Sequence, residues 1–236
     1  MKKLFVLALC CISVITVFAK SEPIAPKYGV GAVTVNTNGR VEFVDDIEIP
    51  ASVNLDNCYE RILTWVKGRF TQPNVTKGEL LSENQETRRI TMRIQQNLVF
   101  KNTALVTDMT KVSYNLTFAV KEENGKKKCT VTMTDISYLY EENRENGGIS
   151  FTAEEWITDQ EAFNKNKTKF LKTTGKFRIK TIDLFELISN QPARNSAARS
   201  PRNSATPPRR NAIFRSPYRS FRTPYPAGKD AHRSPP

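Results

Sequence analysis

No stretch constrains the fold of this chain more than Lys111 to Tyr140. Val112, Tyr114, Leu116, Phe118 and Val120 alternate with Ser113, Asn115, Thr117, Ala119 and Lys121. After Glu122-Glu123-Asn124-Gly125 the alternation resumes, Cys129, Val131 and Met133 interleaving with Thr130, Thr132 and Thr134. Two period-2 runs on either side of Asn-Gly predict a β-hairpin with a tight turn. One face is apolar and the other almost wholly hydroxyl and amide, so the hairpin predicts an antiparallel sheet covered on one side only. After Thr134 the apolar phase slips to Ile136, Tyr138 and Tyr140, which predicts a β-bulge near Asp135.

The flanking elements follow from the same periodicities. Val41, Phe43, Ile47 and Ile49 alternate with Glu42, Asp46 and Glu48 as a first strand, stopped by Pro50. Leu55, Cys58, Ile62, Trp65, Val66 and Phe70 recur at helical spacing, with Asn54 as N-cap and Gly68 near the end. Residues 73–78 read as a loop, and Thr87 to Lys101 as a second strand with Ile90, Met92, Ile94, Leu98 and Phe100 on one face. Thr152 and Glu155 form a capping-box signature for a helix through Trp156. A last helix begins near Gly175, with Phe177, Thr181, Leu184, Phe185 and Ile188 sharing a face that must bury against the sheet.

Both ends differ from the middle. Lys2-Lys3, the apolar run Leu4–Phe18 and Val17-Phe18-Ala19 predict a signal peptide over residues 1–19, hence export to the periplasm, the cell surface or the medium. The run falls short of the roughly 20 apolar residues that span a bilayer, and no later stretch is long enough after signal cleavage. Residues 20–38 read as an N-terminal leader, loose over residues 21–30, where Pro23 and Pro26 discourage regular structure. Residues 191–236, rich in Pro, Ser and Arg, cannot bury enough apolar surface to offset ordering and are expected to be disordered. That tail holds nine arginines and Lys229 against Asp230, a net +9. Lys2 and Lys3 carry two more of the chain's +12, so residues 20–190 are left with +1. The charge therefore says nothing of a nucleic-acid-binding core, and nucleic acid is not the expected partner.

Several words within this order carry a family likeness: Val41-Glu-Phe before Ile47-Glu-Ile-Pro50, Tyr59-Glu-Arg-Ile-Leu-Thr-Trp65, Tyr114-Asn-Leu-Thr-Phe118, Thr134-Asp-Ile-Ser-Tyr138, and Gly175-Lys-Phe-Arg-Ile-Lys-Thr-Ile-Asp183. Together they resemble the DUF4468 family, exported proteins found mainly in Bacteroidetes. The resemblance covers residues 39–190. It implies an α+β domain of TBP-like β-α-β(4)-α topology, an antiparallel sheet with helices on one face. It carries over no activity, cofactor or site residue.

The residue inventory restricts chemistry. The single histidine is His232, in the tail, which removes His-dependent nucleophilic arrangements and the usual zinc sites. Adjacent acid pairs such as Asp45-Asp46 and Glu154-Glu155 read as solvated charge, so the expectation is a protein without catalytic residues, metal or cofactor. Cys58 and Cys129, the cysteines left after signal cleavage, permit a disulfide in an oxidising compartment or stand as two small buried hydrophobes. Thr91, Arg93, Ser113, Asn115, Thr117, Thr130, Thr132 and Thr134 are expected side by side on the polar sheet face, either as a hydrated exterior or as a flat platform for a glycan, peptide or protein. Phe118, Met133, Trp65, Phe177 and Phe185 are expected between sheet and last helix, as ordinary core or as the lining of an apolar cavity. In the tail, Arg209, Arg210, Arg215, Tyr218, Arg219, Phe221 and Arg222 interleave guanidinium with rings, a composition suited to an anionic envelope polymer. The chain thus reads as an exported, non-enzymatic cell-envelope binding or scaffolding module, with a carrier of a small apolar ligand as the alternative.

Overall fold

The Asn-Gly turn is where sequence and architecture meet most directly. In the computed structural model, which describes residues 23–142, 145 and 147–197, it joins β5 (Thr107–Glu123) to β6 (Lys126–Tyr140), labels that count strands in chain order. Asn124 and Gly125 have φ of 53° and 73°, the left-handed pair that matches the twist of two strands joined by two residues. The register then runs from Glu123↔Lys126 along the full hairpin. It slips once: Ser113 faces Ser137 while Asn115 faces Thr134, so Asp135 and Ile136 stand opposite Tyr114 alone. Asp135 takes a φ of 50°. This is the expected bulge, and it divides β6 into a part paired with one strand and a part paired with another.

Ahead of the hairpin come β1 (Thr34–Val35), β2 (Val41–Ile49), α1 (Leu55–Arg69), β3 (Val75–Asn84) and β4 (Arg89–Asn102). After it come β7 (Ile149–Thr152), α2 (Ala153–Trp156) and α3 (Thr174–Ala197). All described pairings are antiparallel, in the order β1-β2-β6-β5-β4-β3, with β7 also on β6. β2 takes Lys127 to Met133 of β6, and β7 takes Ser137 to Tyr140, on either side of the bulge. Asn54 caps α1, its side chain accepting from the N–H groups of Asp56 and Asn57, and Thr152 with Glu155 closes the capping box of α2.

The even-numbered side chains of β4 and β5 face inward. Ile90, Met92, Ile94, Val112, Leu116, Phe118, Val131 and Met133 are wholly buried beneath α1 and α3. Each such side chain contributes about 1.5–3 kcal/mol against solvent exposure, so this layer dominates stability. α1 adds Cys58, Tyr59, Ile62, Leu63 and Val66, and α3 adds Phe177, Ile182, Leu184, Phe185 and Ile188. The described residues all belong to one compact unit, residues 1–200; a second unit, 201–236, falls outside them.

Three expectations are corrected. The loop placed at 73–78 is already strand from Val75, because β3 is a sheet edge with mostly exposed side chains and shows no apolar alternation. Its Gly78 passes so close to α1 that a Cβ there would lie 2.3 Å from the Phe70 ring. The leader is docked rather than loose, with a 3-10 turn at Pro26–Tyr28 held against α3. Proline suits the first position of such a turn, where no backbone N–H is needed, and it does not prevent docking. Finally, the backbone of α3 runs to Ala197, past the boundary placed at Asn190.

Candidate binding face

The odd-numbered side chains of β4 and β5, and their partners on β6 and β2, form the sheet surface opposite the helices. Register assembles them into rows. Thr91, Thr117, Thr132 and Val44 form one; Arg93, Asn115 and Thr134 the next; Gln95, Ser113 and Ser137 a third; Arg89, Ala119, Thr130 and Asp46 a fourth. All eight residues expected on this face are there, Arg93 exposed and the other seven half-buried by their neighbours. Gln95, Ser137, Asp46 and the 54 % exposed Val44 join those eight; strand alternation shows which side a residue takes but not which residue it stands beside.

The rows are internally bonded. The Thr91 and Thr117 hydroxyls are 3.2 Å apart, Arg93 Nε donates to Asn115 Oδ1 at 3.1 Å, and Gln95 Nε2 donates to Ser113 Oγ at 3.2 Å. Asn115 Nδ2 donates in turn to Asp135 Oδ2 at 2.7 Å, so the bulge turns a carboxylate onto the face. At the β2 end Asp46 accepts from Thr130 Oγ1 at 2.5 Å and pairs with Lys128 at 2.9 Å. The Thr130 hydroxyl, then the Lys128 ammonium, hold the Asp46 carboxyl below the usual carboxylate range. Such a face is pre-organised: its polar groups are oriented by one another before any partner arrives.

The other expected sites fall elsewhere. Cys58 and Cys129 are buried free thiols, so the disulfide that the sequence permits is not formed. Burial pushes the Cys129 thiol up to about 12, with Cys58 beside it adding to the shift. The five side chains considered for a cavity lining are core. Phe118, Met133 and Phe177 are wholly buried, Trp65 meets Phe118 edge-on at 5.6 Å, and Phe177 touches Phe100, Tyr138, Tyr140 and Trp156. Phe185 packs on Phe43 at 5.4 Å and also borders a surface cleft of about 500 Å³ beside residues 26–34. Among the described residues no cluster of three or more His, Cys, Asp or Glu could hold a metal, and no helix is long and apolar enough to cross a membrane. The expected signal peptide and the tail residues Arg209, Arg210, Arg215, Tyr218, Arg219, Phe221 and Arg222 lie outside the described residues.

A curved antiparallel sheet with helices on one face and an open polar face on the other defines an α+β domain of TBP-like fold. More particularly, residues 43–139, from β2 into β6, match the family model "Domain of unknown function (DUF4468) with TBP-like fold". The chain is similar to a DUF4468 family protein from Bacteroides ovatus ATCC 8483, with 27 % identity and a TM-score of 0.61 over 75 % of this chain and 97 % of that one. It shares its fold with a TBP-like protein from Parabacteroides distasonis ATCC 8503, at 19 % identity and a TM-score of 0.54 over 69 % and 96 % of the two chains. No curated protein matches it.

Proposed function

We propose that the chain is an exported, non-enzymatic module that binds or scaffolds a component of the cell envelope through the rows of β4, β5, β6 and β2. The observation that carries this reading is the ordered polar face itself: bonded hydroxyls and amides with no element packed over them among the described residues. Neutral groups of this kind are desolvated at modest cost and offer both donors and acceptors, which suits a glycan or the backbone of a protein partner. Export is inferred from the basic and apolar start of the chain, and the non-enzymatic reading from the near-absence of histidine. The +9 tail would add salt-sensitive attraction to an anionic envelope polymer.

The test is co-sedimentation of the full chain with isolated cell envelopes. Thr117 and Thr132 are directly opposed, so Thr117→Lys with Thr132→Glu creates a cross-strand ion pair that the sheet tolerates. The pair is expected to leave Tm nearly unchanged and to weaken envelope binding about tenfold or more. Unaltered binding would remove the face from the proposal. A chain that stays inside the cell would remove export.

A further inference from the structure

The outer face changes character at one end. Val99 and Met109 oppose each other across β4 and β5, on the side that Asn97, Lys111 and Leu139 share, and are 40 % and 42 % exposed. Beyond them the β4–β5 turn raises Leu105, 95 % exposed, beside Val106 at 61 %. This turn is closed. The Thr103 N–H donates to the Val106 carbonyl at 3.0 Å, and the Thr103 hydroxyl donates to that oxygen at 2.9 Å while accepting from the Val106 N–H at 3.1 Å. Turn apices favour Gly, Asn and Asp, yet Ala104-Leu105 occupies this one, so a pinned turn holds an apolar knob in water.

A hole lies next to the knob. It is a cleft of about 480 Å³ with Val106, Met109 and Leu139 in its walls and Lys101, Lys111, Asp108 and Glu142 around them. Lys111 pairs with Glu142 at 2.6 Å and Asp108 with Lys176 at 2.8 Å. The rim therefore carries both signs in near balance. An anionic bilayer would favour lysines alone, whereas a surface that meets its own image across a two-fold axis needs each sign beside the other.

We propose that this end of the domain is a self-association surface, on which Leu105 of each copy seats in the Val106–Met109–Leu139 cleft of the other. The contact is isologous, so every knob-in-cleft contact occurs twice. The apolar area is small for a permanent dimer, which makes the association concentration-dependent. This inference is independent of what the polar rows bind.

Sedimentation velocity of the full chain across a concentration series tests it. The expected result is a monomer–dimer equilibrium. Leu105→Lys should weaken it about a hundredfold, about tenfold for each of two lost contacts, and Met109→Glu, which charges the cleft, similarly. Both residues are substantially exposed, so far-UV spectra and unfolding midpoints should match those of the parent chain. Mixing the two variants should restore a heterodimer of intermediate affinity, because one intact knob then meets one intact cleft. A chain that stays monomeric throughout overturns the proposal, as does a dimer indifferent to Leu105→Lys, or a mixture that forms no heterodimer. Flotation of the monomer with neutral lipid vesicles, lost in Leu105→Lys, would also overturn it, by making a bilayer the occupant.

Discussion

Individual side chains show how narrow the margins inside this domain are. Tyr59 of α1 is almost wholly buried, and its hydroxyl has no hydrogen-bond partner among the described residues. A buried hydroxyl without a partner carries a desolvation cost that a phenylalanine ring in the same place avoids. Tyr59→Phe is therefore expected to be neutral or to stabilise by up to about 1 kcal/mol in urea unfolding, and a clear loss would reveal a bond to that oxygen. The titrating groups of the interior set a pH limit. Burial pushes both Cys129 and Tyr114 up to about 12, so each stays neutral in the folded chain. Unfolded, they titrate near about 8.5 and about 10. Their contribution is thus complete below about pH 8.5 and is lost as pH climbs from there toward 12. Urea midpoints should fall across this alkaline window. Thiol reagents should label Cys129 only after unfolding, since the buried thiol is protonated and inaccessible.

Elements owe their limits to local chemistry in some places and to neighbours in others. α1 starts at Asn54 because its side chain satisfies two N–H groups that the helix leaves open. Asn54→Ala should cost about 1 kcal/mol in the unfolding midpoint, and Asn54→Asp should retain the cap. The Asn124-Gly125 turn and the bulge at Asp135 are equally local, being set by two left-handed residues and by a phase slip written in the chain. β3 has no such signature. Its two register shifts, between Val75 and Lys77 and between Leu80 and Ser82, roughen a free edge that carries Lys77, Glu79 and Glu83. Both features discourage pairing with another chain, so edge-to-edge association through β3 is disfavoured.

At the scale of the molecule, one residue ties the N-terminal segment to the last helix. Arg178 is wholly buried on α3. Its guanidinium donates to the carbonyls of Tyr28, at 2.9 Å, of Ile157, at 2.8 Å, and of Gly29. It pairs with Asp159 at 2.9 Å and lies 4.8 Å from the Phe163 ring centre. Asp159 in turn accepts from the Gly31 N–H at 2.9 Å, and Asp183 takes Lys27 and the Tyr28 hydroxyl. Removing the guanidinium takes a donor from three carbonyls and the counter-charge from the Asp159 carboxylate. Arg178→Met is expected to cost about 3 kcal/mol or more, and to open the segment before Val33 to protease. Arg178→Lys should rescue little, because an ammonium cannot reproduce the planar fork. A full rescue by lysine would mean that charge alone holds the strap.

What the chain alone determined is what short-range physics controls. Strand alternation needs only neighbours two residues apart, so the β5–β6 hairpin, its open polar face and its bulge were legible, as were the caps at Asn54 and Thr152. Helical spacing likewise revealed the buried stripes of α1 and α3. Tertiary structure decided the rest. β3 is a strand because β4 offers it hydrogen bonds, not because its own residues alternate. The strap at Pro26–Tyr28 docks because Arg178 and Asp183, some 150 residues away, reach it. The rows that define the candidate face exist only once register places Thr132 between Val44 and Thr117. Pairing partners distant in sequence leave no local periodicity, since the free energy that selects them comes from contacts formed only when the sheet closes.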